Sequence, residues 1–280
     1  MSPVTDSVVV PAGFRIDYDD DAHRYWIPFP EEVVSVTTAL GVLDKPALPW
    51  WGMTVGLRAA GTLLDQLGHD ALTDGTGTVD DERVVELAKK HKLTVNHVKG
   101  KAADRGVGAH HALEQLAATG RLDLSKIEPE DQGYASGTLD FFLAATPTVV
   151  HAELMVGSLI HGFAGRLDLI ADLPECELVV DAKKGTTKRF EAARWLLDLK
   201  SGKGVYPTSH FPQVEAYGLA ADECGYGQTD RRAIIHVAED GAYQVAVSTA
   251  TSEDFLAIKA AYDAVARIKA SVKKPRKAAA

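Results

Sequence analysis

The chain has 280 residues, 46% hydrophobic and 25% charged, the make-up of a soluble globular protein with a core of useful size. Two cysteines, Cys176 and Cys224, lie far apart and exclude a disulfide framework or a four-cysteine cluster, so a reducing cytoplasm is the expected compartment. A net charge of −9 argues against a protein that coats nucleic acid through a basic face, and no apolar run is long enough to span a bilayer.

The opening MSPVTDSVVVPAG lacks the basic and apolar regions of a secretory signal. From Phe14 to Phe29 two alternating runs flank a DDD turn, which predicts a β-hairpin. Ser35 is placed to N-cap a short helix in SVTTALGVL, and Pro46 and Pro49 precede a helix in WWGMTVGLRAAGTLLDQL. After the loop GHDALTDGTGT, Asp80 or Asp81 starts a further helix. Two more follow, over about Val95 to Ala118 and Asp131 to Ala145. The pattern then turns to apolar, β-favouring runs: VVHAELMVG, HGFAGRLDLIADL, CELVVDAKK and ARWLLDLKSG. FPQVEAYGLAADECG reads as a helix ended by Gly225, RRAIIHVAED and AYQVAVSTA as strands, and SEDFLAIKAAYDAVARIKASV as an amphipathic helix capped by Ser252. The tail SVKKPRKAAA is basic. These elements predict one α/β domain over 1–280. A hairpin and helical part spans 1–130, a central mixed sheet 148–250, a C-terminal helix 252–272 and the basic tail 273–280.

Chemistry concentrates in GRLDLIADL and WLLDLKSGKG. Asp168 stands inside one apolar strand, Asp198 and Lys200 inside another. Strand alternation puts Asp198 and Lys200 on one face, with Leu199 pointing the other way. Charges on the face of an apolar strand are costly to bury unless paired or metal-bound. Mg²⁺ or Mn²⁺ takes carboxylate oxygens and waters, polarises a phosphate and lowers the pKa of an attacking water. A lysine two residues from such a carboxylate can stabilise charge in the transition state. A lone D-x-K is more simply an Asp–Lys ion pair, so its surroundings decide. KSGKG lacks the spacing of a phosphate-binding P-loop.

Several motifs occur in order around these residues. GRLD is followed by LLDLKSGKGVYP, then by Gln213 and Tyr217 at i and i+4 on one helix face. Upstream, Ala102, Arg105, Gly106, His110, Leu113 and Glu114 form A-x-x-R-G-x-x-x-H-x-x-L-E. HRYW and SVTTALGVLDKPALPWW open the chain. Together, from about His23 to Ala220, they resemble the RecB-like branch of the PD-(D/E)XK nucleases, phage exonucleases especially. The resemblance implies a restriction-endonuclease-like central mixed sheet flanked by helices. It implies a metal site of His110, Asp168, Asp198 and the Leu199 carbonyl, with Lys200 and Gln213 assisting catalysis. Glu153, Tyr217 and Arg105 are further candidates, and Lys203 and Arg166 are expected to touch DNA backbone. His110 is preferred over the adjacent His111, which points elsewhere on the helix.

The chain departs from that pattern twice. A second D-x-K, Asp181-Ala182-Lys183, lies between Asp168 and Asp198; Asp198 is preferred because SGKGVYP and Gln213 follow it, which leaves Asp181 in an inserted hairpin. Some relatives hold an iron–sulfur cluster on four cysteines, which two cysteines cannot do. The expected activity is DNA hydrolysis with Mg²⁺ or Mn²⁺, exonucleolytic and in phage-type recombination, repair or replication. The alternatives are a structure-specific endonuclease and a non-catalytic DNA-binding or scaffolding module. Expected partners are DNA and a single-strand annealing or other recombination protein, with homo-oligomers compatible and no membrane.

Overall fold

The computed structural model describes residues 4–28, 31–44 and 47–272, and gives only the backbone at 47, 101–105 and 107. The basic tail 273–280 therefore lies outside the described residues. By their contacts the residues fall into two compact units, Met1–Leu43 with Gly108–Ala280, and Asp44–Val107. Among the described residues no helix is long and apolar enough to cross a membrane.

The smaller unit is helical. It holds α2 (Ala47–Leu67), α3 (Asp81–Lys90) and the first part of α4 (Val95–Thr119). Asp80 caps α3 by accepting from the Arg83 amide at 3.1 Å. Asp81 and Glu82 in its first turn and Lys89 and Lys90 in its last complement the helix dipole.

The larger unit is α/β, built on a mixed nine-stranded sheet. The expected hairpin is β2 (Arg15–Asp19) with β3 (Arg24–Trp26). It is extended by β1 (Asp6–Val9) on one side and β4 (Glu32–Ser35) on the other, neither of which the sequence announced. The Ser35 side chain accepts from the Thr38 amide and so caps the short α1 (Val36–Ala39). The central strands are β5 (Thr148–Ser158), β6 (Phe163–Leu173), β9 (Ala193–Ser201), β10 (Arg231–Val237) and β11 (Tyr243–Val247). β6 lies antiparallel to β5 and β9, and parallel to β4; β9 and β10 are parallel. Between β6 and β9 the chain makes the separate hairpin β7 (Cys176–Asp181) and β8 (Thr186–Phe190).

Helices cover both faces of the sheet. α6 (Pro207–Glu223) packs with α7 (Ser252–Val272) over one buried cluster that includes Leu196, Ile234, Val214, Tyr217 and Phe255. α5 (Gln132–Ala145) and the end of α4 cover the other, around Leu113, Phe141, Trp195, Leu197 and Leu199. The alternation of Leu196 and Leu197 between the two clusters is the period-2 pattern of a strand buried on both faces. α7 is capped one residue earlier than expected: Thr251, not Ser252, exchanges hydrogen bonds with Asp254, because the hydroxyl one residue further out reaches the third amide of the helix.

α5 meets the turn between β10 and β11 at a glycine. A methyl group on Gly133 would lie 1.8 Å from the backbone carbonyl oxygen of Glu239, so only backbone movement could admit it. Nothing stands within 4 Å of the corresponding position at Gly61 in α2. Gly133→Ala should therefore destabilise the fold by about 3 kcal/mol, whereas Gly61→Ala should stabilise it by roughly 0.5–1 kcal/mol. Urea unfolding curves of the two variants should move in opposite directions; a Gly133→Ala curve on top of the wild type would refute the close packing of α5.

Candidate metal centre

The site is made by a fork in the sheet. β5 runs along one edge of β6 from Phe163 to Asp172, so β4 and β9 must share the other edge. β4 pairs with Phe163 and Ala164, and β9 with Leu169 to Leu173. Between them, among the described residues, Gly165 to Asp168 have no strand partner on that side. The amide of Leu199, which would continue the β9 ladder, instead donates to Asp168 Oδ2 at 2.6 Å. The ring of Tyr217 from α6 fills the fork, and a methyl group on Gly165 would come 2.6 Å from its Cε1. The glycine of GRLD is thus needed for close approach, and its aspartate holds the diverging strand.

Three ligand-type side chains converge, those of His110, Glu153 and Asp168. His110 Nδ1, from α4, lies 3.5 Å from Asp168 Oδ1 and 3.8 Å from Glu153 Oε1. Ligand atoms of His110, Glu153 and Asp168 all fall within 4.8 Å of one another. Glu153 is held in an unusual way. It stands in β5 with φ +49°, the left-handed region, between the pairs Ala152–Leu169 and Leu154–Leu167. That register sets it opposite Asp168. A non-glycine residue in this conformation costs on the order of 1–3 kcal/mol. Two carboxylates facing each other across a ladder add repulsion. Glu153 Oε1 is buried and accepts no hydrogen bond. A strained backbone, opposed carboxylates and an orphaned oxygen all fit a hard divalent cation held by two carboxylates and an imidazole.

A second group adjoins the first. Asp198 is 1% exposed; its Oδ2 is 2.6 Å from Lys200 Nζ, and its Oδ1 accepts from Gln213 Nε2 at 3.2 Å. Gln213 Nε2 also donates to the Tyr217 hydroxyl at 3.1 Å. Burial pulls the His110 imidazole down, but Asp168 and Glu153 outweigh it and raise the pKa to about 9. Burial and the Asp198 charge push Asp168 up, against His110 and Lys200. Burial lowers Lys200, but Asp198 and Asp168 hold it above its ordinary value. Burial and Asp198 keep Tyr217 neutral far into the alkaline range.

The other expected residues are placed as follows. Leu199 buries its side chain in the opposite cluster and offers its amide to Asp168. Asp198 is bound to Lys200 and Gln213 rather than grouped with the three converging donors. Arg166 pairs with Asp6 at 2.9 Å and lies over the Tyr18 ring. Lys203 is exposed between β9 and α6, and the side chain of Arg105 lies outside the described residues. His111 pairs with Glu114 at 3.8 Å, away from the carboxylates. Asp181 sits on the β7–β8 hairpin, bound to Lys184 at 3.2 Å. His210 and His236, which no motif singled out, stand near Lys200; burial and the Lys200 charge lower the His210 pKa to about 4.

Glu153 gives a discriminating experiment. Glycine tolerates φ +49° at no cost and removes the opposed carboxylate, so in EDTA Glu153→Gly should be more stable than wild type by roughly 1 kcal/mol. In calorimetry it should lose Mn²⁺ affinity by at least about tenfold, while Asp181→Asn binds as wild type does. A less stable Glu153→Gly protein with unchanged Mn²⁺ affinity would make Glu153 a structural residue only.

Among known proteins, no family model and no curated sequence matches the chain, and what this centre does must follow from its own geometry.

Proposed function

We propose that the chain is a metal-dependent deoxyribonuclease of the PD-(D/E)XK type, an exonuclease that hydrolyses phosphodiester bonds with Mg²⁺ or Mn²⁺. The observation that carries this reading is the position of Asp168. It lies between a cation-demanding trio, completed by His110 and Glu153, and the Lys200–Asp198–Gln213 group. A catalytic lysine beside a hard-metal site is the combination that phosphodiester hydrolysis needs.

A bound divalent cation supplies charge neutralisation at the phosphate and a nucleophile at neutral pH. Glu153, Asp168 and His110 bind and orient it. His110 must give up its proton to do so, since an imidazolium has no lone pair to offer. Asp198 fixes the Lys200 ammonium by its 2.6 Å ion pair, and Gln213, itself bound to the Tyr217 hydroxyl, fixes Asp198 in turn. Lys200 thus carries a held positive charge to the point where negative charge develops on the phosphate. Lys203 is exposed, and Arg166 is partly exposed at the mouth of a cleft of about 450 Å³ lined by Tyr18, Ser35, Thr38 and Tyr217; both can reach the strand backbone.

With Mn²⁺, wild-type protein should degrade end-labelled linear DNA and leave covalently closed circles intact. Lys200→Ala should cleave about 10²–10³-fold more slowly, yet bind DNA in Ca²⁺ within a few-fold of wild type. Lys203→Ala should bind more weakly, with a salt slope smaller by about one unit, and cleave near-normally at saturating enzyme. Cutting of closed circles would make the enzyme an endonuclease. No cutting of any DNA, or a Lys200→Ala protein as fast as wild type, would overturn the reading.

A further inference from the structure

Lys200 and α6 are joined by the linker Gly202–Tyr206, between the end of β9 at Ser201 and the start of α6 at Pro207. Its two ends are gripped by imidazoles. His236, 7% exposed on β10 and opposite Lys200 in the β9–β10 register, places Nε2 2.9 Å from the Gly202 carbonyl oxygen. A carbonyl only accepts, so Nε2 carries the hydrogen. At the other end the Tyr206 amide donates to His210 Nδ1 at 3.2 Å, and the two rings meet edge-on with centroids 5.4 Å apart. That Nδ1 must be unprotonated, in keeping with the depressed pKa of His210. Among the described residues Gly202, Lys203, Gly204 and Val205 make no other hydrogen bond.

We propose that His236 and His210 are positioning residues that clamp this linker and so fix the spacing of Lys200, Lys203 and Gln213 along one phosphodiester strand. The proposal rests on the nuclease reading for its substrate and on the hydrogen bonds alone for the clamp. Its logic is geometric. Lys200 and Gln213 hold the same Asp198 carboxylate from opposite ends of the linker. A five-residue connection with two glycines would otherwise let the strand end and the helix move independently. With both ends pinned, Lys203 is presented to solvent at a set distance from Lys200. The two imidazoles do complementary work, since one donates to a carbonyl and the other accepts from an amide. The neutral tautomer that carries its hydrogen on Nε2 and leaves Nδ1 bare serves at both positions.

The test combines amide hydrogen exchange with single-turnover cleavage and DNA binding in Ca²⁺. In His236→Ala, exchange at Tyr206, whose amide is held by a hydrogen bond, should accelerate at least tenfold. Cleavage at saturating enzyme should fall about ten- to hundredfold, as expected for a displacement of about 1 Å, with DNA affinity within threefold of wild type. His236→Gln, whose Nε2 can donate to the same carbonyl, should recover most of both losses. His210→Ala, at a less buried position, should free the Tyr206 amide, and His210→Asn should restore its protection. Unchanged exchange in both alanine variants would overturn the clamp. So would unchanged cleavage in both, in a wild-type background that cuts DNA. Should the wild type cut no DNA, the nuclease reading fails, and the exchange result alone decides the clamp.

Discussion

The candidate site depends on one electrostatic constraint: the carboxylates of Glu153 and Asp168 are held opposite each other across the β5–β6 ladder. Water would ordinarily screen such a pair, but Asp168 is 6% exposed and a Glu153 oxygen is buried without a hydrogen bond. Left alone, opposed carboxylates repel each other and weaken the fold. The chain compensates with a protonated His110 on one side and Lys200 on the other, yet Asp198 adds a third carboxylate. Three carboxylates face two cations, and the deficit is what a divalent ion offsets.

The backbone is arranged to create this situation rather than to relieve it. β4 and β9 part along one edge of β6, so Asp168 meets a backbone amide instead of a strand neighbour. Gly165 lets the Tyr217 ring close the fork, and Tyr217 in turn receives a hydrogen bond from Gln213, which also holds Asp198. Glu153 takes a left-handed backbone conformation in mid-strand. Strain of this kind persists only where the surroundings over-determine it, and it concentrates at functional sites. Stability is thereby exchanged for a strained arrangement of His110, Glu153 and Asp168 that could hold a metal ion.

Much of the architecture was legible in the sequence because it follows from local rules. Apolar, β-favouring runs around Leu167, Leu169 and Ile170, and around Leu196 and Leu197, marked strands, and Asp168 and Asp198 stood out as charges within them; that both faces are buried is a finding of the structure. Asp181 was expected in an inserted hairpin because SGKGVYP and Gln213 follow Asp198 instead, and it stands on the separate β7–β8 hairpin. What escaped the sequence was set by tertiary structure. Glu153 could be named but not ranked, since nothing local predicts φ +49° inside a strand or its register against Asp168. β1 and β4 are short strands whose partners lie elsewhere in the chain. His236 sits in IIHV with no motif around it, and its bond to Gly202 joins residues 34 apart. The Thr251 cap lay within one residue of the expected one, the ordinary uncertainty of a helix end.

The central claim is that His110, Glu153 and Asp168 bind a divalent cation, and diffraction from crystals soaked in Mn²⁺ tests it most directly. At the manganese absorption edge the account predicts an anomalous peak among His110 Nδ1 and the Glu153 and Asp168 carboxylates, with ligand distances of about 2.0–2.4 Å. No peak there at saturating Mn²⁺, or a peak on Asp181 instead, would contradict it.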